Sequence, residues 1–147
     1  MALVVSPLIA LMHDQVGALE EAGVHAAFLN STLTLEETQK IEREMMSGRL
    51  VLLYAAPERV TTPRFLAQLD SLHERGLLSL FAIDEAHCIS HWGHDFRPDY
   101  MMLGSIARRL GRPPILALTA TAPPEVQDDI AAQLGMEEPY RVIGELI

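Results

Sequence analysis

Apolar positions along this chain switch repeatedly between two periods. Ala2–Val5 is a short aliphatic run that predicts a strand. Ser6 then reads as a helix cap with Pro7 at the first helical position, and Leu8, Leu11, Met12, Val16 and Leu19 follow at helical spacing until Gly23. Val24–Leu29 predicts a second strand, and Thr34 with Glu37 forms a capping-box pattern opening a helix that ends near Gly48. Leu50–Tyr54 is again aliphatic. Thr62-Pro63 opens a third helix, with Phe65, Leu69 and Leu72 on one face and a stop at Gly76. Leu77–Ile83 is a buried-strand run, and Tyr100–Leu110 is helical in pattern. After a turn at Gly111–Pro114, Ile115–Leu118 predicts another buried strand. Pro123-Pro124-Glu125 starts a last helix carrying Val126, Ile130 and Leu134, and Tyr140–Ile143 is expected to form a final strand.

Strand and helix alternating through short connections predicts an α/β fold, a parallel sheet flanked by helices. About five or six strands are expected. The length of 147 residues suits one domain, and 49% hydrophobic against 21% charged residues excludes a disordered chain. A formal charge of -9 has the wrong sign for binding nucleic acid over a broad surface, which leaves room only for a groove with local donors. One cysteine cannot form an internal disulfide, so a reducing compartment is expected. Met1–Met12 is too short to span a bilayer and lacks the basic start of a signal peptide. A cytoplasmic protein without membrane contact is expected.

The chemistry concentrates at Asp84–Tyr100, DEAHCISHWGHDFRPDY. Two acids follow directly on a buried strand, where open α/β sheets place their ligands. Asp84 there could hold a metal ion, directly or through water, and Glu85 could orient an attacking water. Two chemistries compete. One is Mg-assisted phosphoryl transfer on Asp84 and Glu85. The other is a zinc site drawn from His87, Cys88, His91 and His94, since His87 and His91 would share a face of a helix. Gly93 and Pro98 argue against a helix through the whole stretch.

Four blocks, in order, carry a resemblance. They are Val4–Met12 with Asp14-Gln15-Val16, Tyr54–Arg59 (YAAPER), Asp84–Tyr100, and Ala117–Ala122 (ALTATA). Together they resemble the first RecA-like domain of a RecQ-family DNA helicase of superfamily 2, over nearly the whole chain. The DEAH tetrapeptide alone suggests a helicase-like ATPase; the continuation CIS-x-WGHDFRP points to RecQ. His91 stands where that family usually has glutamine.

The resemblance implies ATP and Mg2+ as cofactors, with Asp84 on the metal, Glu85 on the hydrolytic water and His87 relaying between the ATP and DNA sites. It implies that Thr119 and Thr121 reach back toward the Asp84–His87 loop, against a competing reading as caps of the helix at Pro123. Ser6, Gln15 and Arg59 become candidate DNA contacts. For Gln15 a half-buried helix amide competes, and for Arg59 a surface ion pair. Trp92, Phe96 and Arg97 become a stacking loop, since aromatic rings take bases without sequence preference. Cys88 is expected to pack as a small hydrophobe. Partners implied are single-stranded and partly duplex DNA and a downstream helicase domain, with nucleoid association if the source is bacterial.

A phosphate-binding loop of the form G-x-x-x-x-G-K-[ST] needs a lysine after glycine, and the one lysine, Lys40, follows Gln39. Residues 1–147 are therefore expected to be a partial ATP-binding domain, lacking its first strand and phosphate loop and inactive in isolation. A zinc-dependent hydrolase on His87, His91 and His94, and a non-enzymatic α/β interaction module, are the alternatives.

Overall fold

The computed structural model describes residues 1–110, 114–120 and 122–143. Five strands form one parallel sheet: β1 Ala2–Val5, β2 Ala26–Leu29, β3 Leu52–Ala55, β4 Leu80–Ile83 and β5 Ile115–Ala117, in the order β2-β3-β1-β4-β5. The helices are α1 Ile9–Glu21, α2 Leu35–Met46, α3 Pro57–Val60, α4 Pro63–Glu74, α5 Asp99–Leu110 and α6 Pro124–Gln133, with a 3-10 turn at Ala86–Ile89. Parallel strands need long crossovers, which are right-handed almost without exception. The step from β1 out to β2 therefore puts α1 on one face. The later steps run the opposite way and put α2, α4 and α5 on the other.

Local signals place several of these elements as the sequence predicts. Thr34 and Glu37 make the reciprocal capping box of α2. The Thr62 side chain accepts from Phe65 N–H, with Pro63 in the first turn of α4, and Phe65, Leu69 and Leu72 are buried. Gly48 and Gly76 end their helices at φ +81° and +70°, where a side chain would be strained. One face of the sheet is fully buried, through Leu3, Val5, Leu53, Ala55, Phe81 and Ile83, while Val4 and Tyr54 on the other face are half-buried.

Other expectations are corrected. The first helix begins at Ile9 rather than at Ser6-Pro7, because Ser6 still belongs to the sheet: its N–H donates to Ala55 O at 3.1 Å. A four-residue helix, α3, follows β3 where no helix was predicted. Tyr140–Ile143 is not a strand; Tyr140, Val142 and Ile143 are exposed, since β-branched residues make a strand only beside a partner. Residues 111–113 of the predicted turn, and Thr121, lie outside the described residues. No helix among the described residues is long and apolar enough to cross a membrane.

The register sets the position of the site. Val5 pairs with both Ala55 and Ile83, and Ile83 pairs with Ala117. The residues just past those strand ends, Ser6, Ala56, Asp84 and Leu118, therefore emerge along one edge of the sheet. The loops leaving β1 and β4 depart to opposite faces, which opens a crevice between them at the ligand-binding end of such sheets.

Candidate functional site

Asp84 leaves β4 half-buried, with its backbone still in the sheet through N–H donation to Val5 O at 2.9 Å. Its carboxylate is oriented from both sides: Oδ1 accepts from Glu85 N–H at 3.0 Å and Oδ2 accepts from the Ser6 hydroxyl at 3.3 Å. The buried Tyr100 hydroxyl donates to the Asp84 carbonyl at 2.9 Å, tying the start of α5 to the end of β4. Burial, with the charges of Cys88 and Asp84 adding to it, pushes the Tyr100 phenol well above its usual range, so it stays a donor.

Glu85 adopts the left-handed conformation, φ 53° and ψ 43°, which is uncommon for a residue with a side chain. Strain of this kind persists where the surroundings over-determine it, and is concentrated at functional sites. Here Ala86 N–H donates to Leu118 O and Leu118 N–H to Ile83 O, each at 2.9 Å, so the end of β5 clamps the loop. The turn after Glu85 aims His87 inward. His87 is buried; its Nδ1 lies 2.7 Å from Thr119 Oγ1 and its Nε2 lies 3.6 Å from Glu85 Oε2. The imidazole thus bridges an acid on β4's loop and a hydroxyl on β5's.

From His87 the chain turns back into an exposed loop. Gly93 packs against the turn so closely that a Cβ there would sit 2.9 Å from His87 O. Ser90, fully buried, donates to Asp129 Oδ2 of α6 at 2.6 Å and accepts from Trp92 N–H at 3.1 Å. Arg97 N–H returns to Cys88 O at 2.9 Å, closing the loop at its base. Between these anchors Trp92 projects into solvent, 78% exposed, and Phe96 stacks on His91 at 3.9 Å between ring centres. The Arg97 guanidinium is half-exposed and lies 3.5 Å from Asp95.

The zinc trio of the alternative reading, His87, His91 and His94, is not assembled. The 3-10 turn ends at Ile89, so His87 and His91 do not share a helix face, and His91 turns to Phe96 instead. His94 stacks on His87 at 4.7 Å between ring centres. Among the described residues the one group of three possible ligands is His87, Cys88 and Asp95, with ligand atoms within 4.8 Å of one another. Cys88 is fully buried; that burial, with the nearby Asp95 carboxylate adding to it, pushes its thiol up to about 11.

Of the remaining candidates, Ser6 touches this centre and Gln15 does not. Ser6 is buried, and its hydroxyl is engaged by Asp84 and by Leu8 N–H at 3.1 Å, so it supports the acid rather than presenting a surface group. Gln15 is exposed on α1. Arg59, on α3, donates to Asn30 O at 3.1 Å and forms no ion pair with Glu58. A small cleft of about 80 Å³ brings Pro7, Pro57, Glu58 and Arg97 together, so three separate sequence blocks meet beside the site. The support that Tyr100, Asp129 and Gly93 lend was not read from the sequence. Only the close spacing of Gly93 to His87 carried any signal of it.

The DEAD/DEAH box helicase family model matches residues 1–130. The chain is 48% identical to the ATP-dependent DNA helicase RecQ of Haemophilus influenzae over 98% of its own length and 23% of that protein's. It is 49% identical to RecQ of Bacillus subtilis, over 92% of this chain and 22% of that one. With ATP-dependent DNA helicase Q5 of Rattus norvegicus the identity is 48%, over 93% and 14%. Among solved structures, the helicase domain of Pyrococcus furiosus Hef superposes with a TM-score of 0.55 at 18% identity, covering 93% of this chain and 27% of that one, a likeness of fold. The chain belongs to the DEAD/DEAH box helicase family, on its RecQ branch. It spans less than a quarter of the length of these curated relatives.

Proposed function

We propose that this chain is the part of an ATP-dependent DNA helicase's first RecA-like domain that joins the hydrolytic acids to the DNA-sensing loop. The observation that carries this reading is the continuity of one short segment. Within it lie the doubly oriented Asp84, the left-handed Glu85, the buried His87 held by Thr119, and the exposed Trp92.

Asp84 suits a Mg2+ ion that takes most of its ligands from phosphate and water, since its two carboxylate oxygens are pre-oriented by Glu85 N–H and the Ser6 hydroxyl. When bound, such an ion offsets phosphate charge. Glu85 would orient the attacking water and accept its proton at a carboxylate oxygen, and the strained backbone would hold that carboxylate toward the crevice rather than over the sheet. His87 lies against Glu85 and answers to Thr119, so movement of either loop changes the placement of the acid. DNA stacked on Trp92, with Phe96 and Arg97 beside it, would order the loop whose base is Cys88 and Arg97. Gln15 and Arg59 would support the strand at the periphery, and Thr121 would join Thr119. Movement from 3′ to 5′ along single-stranded DNA, with duplex unwinding, belongs to the whole protein together with its second RecA-like domain.

The test is a graft. Replacing the matching 144 residues of Haemophilus influenzae RecQ with this chain should give a DNA-stimulated ATPase. Glu85→Gln in the graft should abolish turnover while nucleotide and DNA binding persist. Turnover that survives Glu85→Gln would show that this acid does not orient the water.

A further inference from the structure

The 3-10 turn that carries His87 is pinned at both ends by one continuous part of the chain, the segment running from β5 into α6. At its start, Leu118 O accepts from Ala86 N–H and Thr119 Oγ1 meets His87 Nδ1. At its end, the Ser90 hydroxyl donates to Asp129 Oδ2 at 2.6 Å. Ser90 is fully buried, and a hydroxyl donating to a carboxylate at that distance makes a strong, charge-assisted bond. Asp129 is not spent elsewhere. Its neighbour Asp128 takes Arg141, whereas among the described residues Asp129 forms no ion pair, and its other oxygen accepts only a long bond of 3.5 Å from Gln133 Nε2.

Ser90 passes this constraint in two directions. With its proton committed to Asp129, its oxygen presents a lone pair to Trp92 N–H, which donates to it at 3.1 Å. Its own N–H donates to His87 O at 3.1 Å. One side chain thus ties the backbone of the exposed Trp92 to the backbone of the buried His87. The acid behind it sits on a braced helix: Val126 and Ile130 of α6 are buried in the core, and Arg108 of α5 donates to Gln133 O at the end of α6.

We propose that Asp129 is a positioning residue for the Trp92 loop: through Ser90 it seats that loop on the Glu85–His87 turn, and so sets how far DNA at Trp92 stimulates turnover. The seating follows from the geometry alone, and its effect on turnover rests on the function proposed above. Without the carboxylate the Ser90 hydroxyl is free to rotate, Trp92 N–H loses its oriented acceptor, and loop and turn move apart. A hydrogen bond to a charged group shifts such a local equilibrium by about tenfold or more.

The test has two arms. In the full chain, amide exchange reads the Trp92 N–H directly. Asp129→Ala should speed it about tenfold beyond any change at Leu53, whose amide reports overall stability. Asp129→Asn keeps an oxygen that can accept from Ser90 and should restore most of the protection. Asp128→Ala, at the exposed acid next door, should leave Trp92 unchanged. Ser90→Ala should match Asp129→Ala, the double variant should be no worse than either, and Ser90→Ala carries the test should Asp129→Ala fail to fold. In the RecQ graft, Asp129→Ala should lower kcat at saturating single-stranded DNA about tenfold with KM for ATP unchanged, and Asp129→Asn should recover it. Trp92 exchange that rises only in step with Leu53, or no faster than in Asp128→Ala, would overturn the proposal. So would undiminished stimulation in Asp129→Ala where Trp92→Ala loses it. Full stimulation in Trp92→Ala would instead overturn the reading of the loop, and with it the effect on turnover, while the exchange contrast would still decide the seating.

Discussion

Tyr100→Phe removes one atom from the interior and tests how the acid-bearing strand end is held. The ring stays fully buried, so packing changes little, but the hydrogen bond to the Asp84 carbonyl is lost. A buried neutral hydrogen bond contributes about 0.5–1.5 kcal/mol net, and leaving its partner short of a donor adds to the loss, so a destabilisation of about 1–2 kcal/mol is expected. For a chain of this size each kcal/mol moves the melting temperature by about 2–4 °C, so a drop of about 3–6 °C should follow. Urea unfolding monitored by circular dichroism measures it, with an unchanged slope showing that the folded state is intact. Tyr140→Phe is the control, because Tyr140 is 94% exposed and should stay within about 0.5 kcal/mol of the parent. If Tyr100→Phe matched that control, the hydroxyl would not anchor α5 to β4, and the orientation of Asp84 would have to come from Ser6 and Glu85 alone.

Three further outcomes are expected. Gly104→Ala would place a Cβ 2.6 Å from Gln133 O where α5 meets the end of α6; instead of the usual helical gain it should cost about 1–3 kcal/mol in chemical denaturation. Cys88, with its thiol pushed up to about 11 from an ordinary 9.0, keeps its proton in the folded chain at pH values where the unfolded chain has lost it. Stability should therefore fall as pH rises through that window, and Cys88→Ala should flatten the fall in pH-dependent melts. Protein purified without chelator should carry far less than one zinc per chain by metal analysis, since His87 Nδ1 is engaged by Thr119 and the Cys88 thiol is protonated at neutral pH; one zinc per chain would revive the hydrolase reading.

What could be read from the chain was what lies close along it. Asp84, Glu85 and His87 are neighbours, and the strand before them is marked by apolar residues, so their place at the end of β4 follows from order alone. The capping box at Thr34 and Glu37 is equally local. The contact between Ser6 and Asp84 joins residues 78 apart, and it depends on β1 and β4 being adjacent, a pairing that no periodicity reveals. Ser6 accordingly reads as a surface donor in the sequence and is a buried support in the fold. Asp129 beneath Ser90 and Tyr100 beneath Asp84 are missed for the same reason. The left-handed Glu85 carries no sequence signal, because glutamate is not a residue that marks such a turn. Tyr140–Ile143 fails in the other direction: a β-rich tetrapeptide is a strand only if the sheet offers it an edge.

The central claim is that one loop couples the water-orienting acid to DNA, and it is tested most directly by ATPase rate at saturating single-stranded DNA in the RecQ graft. Trp92 is exposed enough that Trp92→Ala should leave stability unchanged, and its stacking surface is worth about 1–3 kcal/mol per base. Trp92→Ala and Phe96→Ala should each lower DNA affinity modestly, keep nucleotide affinity, and lose most of the DNA stimulation even when DNA saturates. Full stimulation at saturation in both variants would mean that the loop is only a binding surface, and that His87 and Glu85 do not answer to it.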